Sequence, residues 1–92
     1  MNHVVVCTDK RGVFFGELVD GGLGQCKLVN ARICIYWSSD VGGVTGLAAT
    51  GPTAGCRIGA PAPELELPDV HALMRCSTDA RDAWLAAPTY RG

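Results

Sequence analysis

Residues 25–37, QCKLVNARICIYW, are uninterrupted by glycine or proline, and their alternation constrains the fold more than any other feature. An extended strand places Val29, Ala31, Ile33, Ile35 and Trp37 on one face. That face is wholly apolar and is the expected core face. Cys26, Leu28, Asn30, Arg32, Cys34 and Tyr36 share the other face, which is mixed. A bulge at Asn30 would exchange the two faces downstream.

Shorter strands precede this one. HVVVCT (residues 3–8) and VFFGELV (residues 13–19) flank DKRG, a turn with Asp first and Gly last, so they are expected to form a hairpin. Gly16 marks a bulge or a close backbone approach. DGGLG (residues 20–24) is the next loop. Beyond Trp37, residues 45–50 are expected to make one or two helical turns, stopped by Gly51 in the left-handed conformation and by Pro52.

APAPELELPDV opens as an extended connector. It then alternates Glu64 and Glu66 outward with Leu65 and Leu67 inward. VHALMRC follows as a further strand with Val70, Ala72, Met74 and Cys76 on one face. STDARDAWLAAP is the clearest helix, capped by Ser77 or Thr78, with early Asp79 and Asp82, ended by Pro88. Its apolar stripe is Ala80, Ala83, Trp84 and Ala87. The expected fold is mainly β (α+β): a small antiparallel sheet or incomplete barrel with one C-terminal α-helix, all in a single domain over residues 1–92.

The chain has 92 residues and a net charge of −1. A chain this short buries only about 60–65% of its unfolded surface, and its mean hydropathy is slightly positive. Both features favour a homo-oligomer. The eight Lys and Arg residues are scattered, so no basic stripe for DNA is written. No apolar run reaches membrane-spanning length and no signal-peptide pattern opens the chain. The five cysteines include no C-x-x-C pair and fit neither a disulfide framework nor a zinc ribbon. They read as small hydrophobes of a reduced, cytoplasmic protein.

Most catalytic and binding motifs fail on inspection. Gly46-x-x-x-x-Gly51-Pro52-Thr53 nearly matches a phosphate-binding loop, but Pro52 stands where the lysine is needed and removes a backbone donor. GGLGQC lacks the third glycine and the βαβ unit of a dinucleotide site. Ser38 and Ser39 lack a nucleophile elbow and read as turn residues. His3 and His71 are too isolated to signal a metal, and His71 reads as a partly exposed strand residue. Glu64 and Glu66 read as a solvated face. No catalytic residue, metal or cofactor is assigned. A Cys-dependent enzyme is the weakest of three functional readings.

One constellation keeps weight. Arg32 and Tyr36 share a strand face, with Trp37 next to them, and Arg57 follows the glycine-rich loop of Gly42, Gly43, Gly51, Pro52 and Thr53. Arginine forks onto phosphates or carboxylates, aromatic rings stack on planar groups, and glycine amides approach anions closely. These residues are candidates for a pocket for a nucleotide-like anion or for a subunit interface. The plainer alternative pairs Arg32 and Arg57 with Asp40, Glu64 or Glu66, within or between chains.

The pattern ARICIYW…GVTGLAATGPTAGCRIG…PELEL…VHALM, with Tyr36-Trp37, Gly46-Leu47-Ala48 and Gly51-Pro52 as its most specific pieces, resembles a family of small uncharacterised proteins from bacteria, prophages and bacteriophages. The resemblance runs over residues 31–84. It implies a phage or mobile-element origin and the cytoplasm of a bacterial host. It brings no catalytic residues. The leading expectation is a non-catalytic, homo-oligomeric phage accessory protein that occupies a host factor or sequesters a small anionic nucleotide-like ligand, countering host defence. The alternative is a structural or assembly protein whose glycine-rich segment makes subunit contacts.

Overall fold

The computed structural model describes residues 2–91. Strands β1 (His3–Thr8), β2 (Val13–Gly21), β3 (Gly24–Tyr36), β4 (Arg57–Ile58) and β5 (Ala62–Arg75) accompany helices α1 (Gly43–Ala49) and α2 (Thr78–Ala86). All strand pairs are antiparallel, in the order β2-β1-β5-β3-β4. β2 also pairs with β3, so the sheet curls round on itself. This is the expected mainly β architecture, with its C-terminal helix.

The curl creates two cores. Val4, Val6, Cys26, Leu28, Ala31, Leu67 and Val70 cluster among the strands, while Val5, Val13, Phe15, Cys34, Leu47, Ile58 and Trp84 cluster beneath the helices. This explains the unbroken VVV of β1. Alternate residues point to opposite faces, and here both faces are buried.

The expected core face of the long strand is corrected. Ile33 and Ile35 are exposed, Val29 is half-buried, and Cys26, Leu28, Arg32 and Cys34 are buried. The reason is the bulge at Asn30, a non-glycine residue at φ 50. Glu17 faces Val29 while Phe15 faces Arg32, two steps on β2 against three on β3. The extra residue reverses the parity downstream. Leu28 and Ala31 therefore share the inter-strand core, and Arg32 and Cys34 turn towards the helices.

Residues 62–75 likewise form one bent strand rather than a connector plus a separate strand. Thr8 faces Val70 while Cys7 faces Ala72, so an extra residue at His71 splits the expected face. Val70 joins the inter-strand core, and Met74 and Cys76 pack under the helices. Pro68 lies where the register shifts between Val70 and Leu67, a place in a strand that tolerates proline.

Trp84 anchors α2. Its ring stacks on Phe15 at 4.9 Å and an interplanar angle of 3°, and its indole N–H donates to the Leu47 carbonyl of α1 at 2.9 Å. Ser77 is the N-cap, accepting from the Ala80 amide at 3.0 Å. Arg32 holds the other end. Its Nη1 donates to the carbonyls of Trp84 (2.8 Å) and Ala87 (2.7 Å), its Nε to Gly59 O (2.9 Å), and its Nη2 to Thr89 Oγ1 (3.3 Å). A cation at a helix C-terminus is favoured by the macrodipole and satisfies the orphan carbonyls.

The two glycines of the phosphate-loop lookalike have packing reasons. A Cβ on Gly46 would fall 1.5 Å from the Val41 carbonyl oxygen. Gly51 has φ 86, donates its amide to Gly46 O at 3.1 Å, and a Cβ there would meet the Ala83 Cβ at 2.6 Å. Residues 43–51 are thus a short helix with a left-handed stop pressed onto α2.

Two outcomes are expected in urea unfolding. Arg32→Ala, which removes the side-chain donor to the Gly59 and Ala87 carbonyls and one of the two donors to that of Trp84, costs about 3 kcal/mol or more, and Arg32→Lys recovers little because an ammonium lacks the planar fork. Gly51→Ala costs about 1–3 kcal/mol through strain and contact with α2. A wild-type midpoint for either variant would show that its side chain, or the lack of one, does not hold α2 in place.

Candidate functional site

The short strand β4 builds the candidate site. Cys34 pairs with Ile58 and Tyr36 with Arg57, so Ile35 is an extra residue and a second bulge on β3. Beyond it Tyr36 turns to solvent. On the other side of β4 the C-terminal segment runs parallel: Thr89 bridges Ile58, and the Tyr90 amide donates to Ile58 O at 2.8 Å. Tyr36, Arg57 and Tyr90 therefore come from three adjacent segments. The Arg57 guanidinium carbon lies 5.4 Å from the Tyr36 ring centroid and 5.0 Å from that of Tyr90. All three side chains are exposed, and Arg57 makes no ion pair among the described residues.

Beside Tyr90 lies an open groove of about 340 Å³, walled by Thr53, Cys56, Ile58 and Pro88. Thr53 and Cys56 join this wall to a polar cluster. Asp40 Oδ1 accepts from Ser38 Oγ at 2.5 Å and from Thr53 Oγ1 at 3.0 Å, and Thr53 Oγ1 lies 3.7 Å from Cys56 Sγ. The hydroxyls of Ser38 and Thr53 hold the Asp40 carboxyl below its ordinary pKa. Burial alone would raise the Cys56 thiol, but hydrogen bonding by Ser38 and Thr53, their backbone amides foremost, leaves it lowered. The other four thiols move the opposite way. Burial raises Cys7 and Cys26, and pushes Cys34 and Cys76 up to about 11.

The sequence-derived candidates divide. Tyr36 and Arg57 meet, and Thr53 lines the adjoining groove. Arg32 is 4% exposed and wholly engaged by the α2 terminus, so it does not share an open face with Tyr36. Trp37 is half-buried against the core beneath the helices. Gly51 is buried against α2, and Pro52 follows it in the chain. Gly42 and Gly43 form the junction between a 3-10 turn (Ser39–Val41) and α1, with open space around both. No hydrogen bond or cation–π contact joins them to the Arg57 face among the described residues. Within the chain, among the described residues, the arginines do not take these carboxylates: Glu64 meets Lys27 at 3.6 Å, and Asp40 takes hydroxyls. Tyr90 and Cys56 are additions that sequence reasoning does not reach. Tyr90 carries no local signal, since only the long-range bridge to Ile58 places it.

A family model for a domain of unknown function, DUF6948, matches residues 1–84. The chain belongs to the DUF6948 family. No curated protein and no solved structure matches it. In this DUF6948 chain the match ends at Trp84, so Tyr90 lies beyond the part the family model covers. Among the described residues no helix is long and apolar enough to cross a membrane, and no cluster of three or more His, Cys, Asp or Glu could hold a metal.

Thiol chemistry tests the electrostatics of the groove. At neutral pH a limiting amount of iodoacetamide is expected to label Cys56 first, with Cys34 and Cys76 last, because the thiolate is the nucleophile. Peptide mapping by mass spectrometry reads the order. Labelling of Cys34 or Cys76 ahead of Cys56 in the folded protein would contradict it.

Proposed function

We propose that this DUF6948 chain is a non-catalytic binding module that takes a ring-bearing anion of the nucleotide class on the Tyr36–Arg57–Tyr90 face. One observation carries the reading: an exposed guanidinium, free of any carboxylate among the described residues, held against two tyrosine rings. Such a guanidinium can fork onto a phosphate while a tyrosine stacks on a base. The groove alongside adds an apolar wall for the rest of the ligand. Neither histidine contact places a base against Cys56, the thiol with the lowered pKa. His71 meets Asp9 at 3.3 Å and His3 stacks on Phe15, so neither contact involves Cys56.

The resemblance to small phage and prophage proteins supports an accessory role in a bacterial host's cytoplasm, in which a nucleotide-like signal is sequestered or a host factor occupied. Self-association is part of the same reading. Ile33 (40% exposed) and Ile35 (52%) lie two apart on β3, and a second copy covering them would remove apolar surface from water. The same residues also favour the second reading, a subunit of an assembly, with contacts made through β3 instead of the glycine-rich segment.

Calorimetry against a panel of mononucleotides, dinucleotides and cyclic nucleotides tests the first reading. Binding with Kd near or below about 1 mM is expected, weakened roughly tenfold or more by Arg57→Ala at unchanged melting temperature. Absence of binding across the panel, or identical binding by Arg57→Ala, would sink it. Native mass spectrometry separates the second reading: an assembly dispersed by Ile35→Lys, with no nucleotide binding, favours the subunit role.

A further inference from the structure

The structure holds a second cationic site, remote in sequence from Arg57 and sharing no residue with its groove. We propose that the cavity between the start of α2 and the beginning of β1 binds a small tetrahedral oxyanion, a phosphate or the phosphoryl head of a monoester. This goes beyond the nucleotide reading and does not rest on it.

The cavity has a volume of about 150 Å³ and is lined by Asn2, His3, Arg75, Ser77, Thr78 and Arg81, together with Cys76. Liquid water occupies about 30 Å³ per molecule, so the space suits a phosphate group and not a whole nucleotide. Every charged lining group is cationic, in a chain whose net charge is −1. Acidic neighbours stand outside the lining. Asp82 accepts from Arg81 Nε and Nη2 at 3.0 and 2.9 Å, and Asp79 lies in the first turn of α2. Arg75 donates one Nη1 bond to Asn2 Oδ1, and the rest of its fork has no partner among the described residues.

The start of α2 supplies further donors. Ser77 Oγ caps the Ala80 amide, and the Arg81 amide donates to Ser77 O at 2.9 Å. The Thr78 and Asp79 amides have no acceptor among the described residues, and they belong to the helix end that favours negative charge. An independent observation points the same way. His3 Nδ1 is buried without a hydrogen-bond partner, and no other side-chain nitrogen or oxygen among the described residues is left in that state. His3 itself is half-buried and lines this cavity, and in the tautomer protonated at Nδ1 it offers an anion one more donor. Burial is the main cause lowering the His3 pKa. Among the neighbouring charges Glu17 opposes this most strongly, and Arg81 acts in the same direction as burial.

An NMR titration of the full chain with inorganic phosphate, at ionic strength held constant with chloride, tests the assignment. The amides of His3, Thr78 and Asp79 are expected to shift and saturate, with Kd on the order of 1 mM. Arg75→Ala and Arg81→Ala should each weaken binding several-fold, while Arg57→Ala leaves it unchanged. Thr78→Pro gives a variant that keeps the fold, because proline is accepted at the first helical position while removing one open N–H. It too should weaken phosphate binding at unchanged melting temperature. Shifts that fail to saturate, that chloride reproduces, or that persist in the Arg75→Ala/Arg81→Ala double variant overturn the site. Loss of nucleotide binding in Arg57→Ala with phosphate shifts intact would show that the two sites stand or fall separately.

Discussion

The buried guanidinium of Arg32 is the contact on which the rest of the molecule depends. It sits on the central strand, reaches the carbonyl end of α2, and touches the segment that follows. Its charge has no carboxylate partner among the described residues, and its acceptors are backbone carbonyls and one hydroxyl. Such an arrangement avoids the desolvation of a second ion, and the helix dipole supplies part of the compensating potential. By fixing residues 84–89, Arg32 also fixes the path of the chain along β4. Tyr90 reaches Arg57 only because Thr89 has been drawn alongside Ile58. A residue expected to bind ligand thus acts one step back, by holding in place the segment that completes the exposed face.

A second constraint is the supply of buried surface in so short a chain. One flat sheet with one helix layer would bury a single face of each strand. Curling the sheet buries both faces of β1 and gives a second core without added length. The bulges at Asn30 and His71 are the devices that let β3 and β5 serve both cores in turn. Each reverses side-chain parity at a chosen point, so one strand delivers some residues inward and others towards the helices.

Local chemistry makes part of this legible in the sequence. The hairpin at DKRG, the Gly51-Pro52 stop and the Ser77 cap each depend on residues within a few positions of one another and are legible, although the hairpin turn closes one residue early, with the Arg11 amide donating to Thr8 O. The parity of β3 is not legible. Asn30 can occupy either a strand or the left-handed region, and only the pairing with β2 decides between them. Tyr36 and Arg57 are recognisable as an aromatic and a cation flanking a glycine-rich loop. Their third partner, Tyr90, depends on a bridge spanning 31 residues, from Ile58 to Thr89, which no local pattern encodes. Arg32 misleads for the same reason: an arginine in a strand looks solvent-facing until a distant helix terminus is brought over it.

The stacked rings of His3, Phe15 and Trp84 tie the start of the chain to its end. Arg32 closes loops of 52 to 57 residues onto the same region. Contacts of such sequence separation slow folding, because most of the chain must be ordered before they contribute. On the ribosome, the hairpin of β1 and β2 can form early. The core beneath the helices cannot close until Trp84 and the residues just beyond it have left the exit tunnel. Until then the nascent chain carries an apolar sheet face open to its surroundings, an interval in which a chaperone or a second nascent copy has access to it.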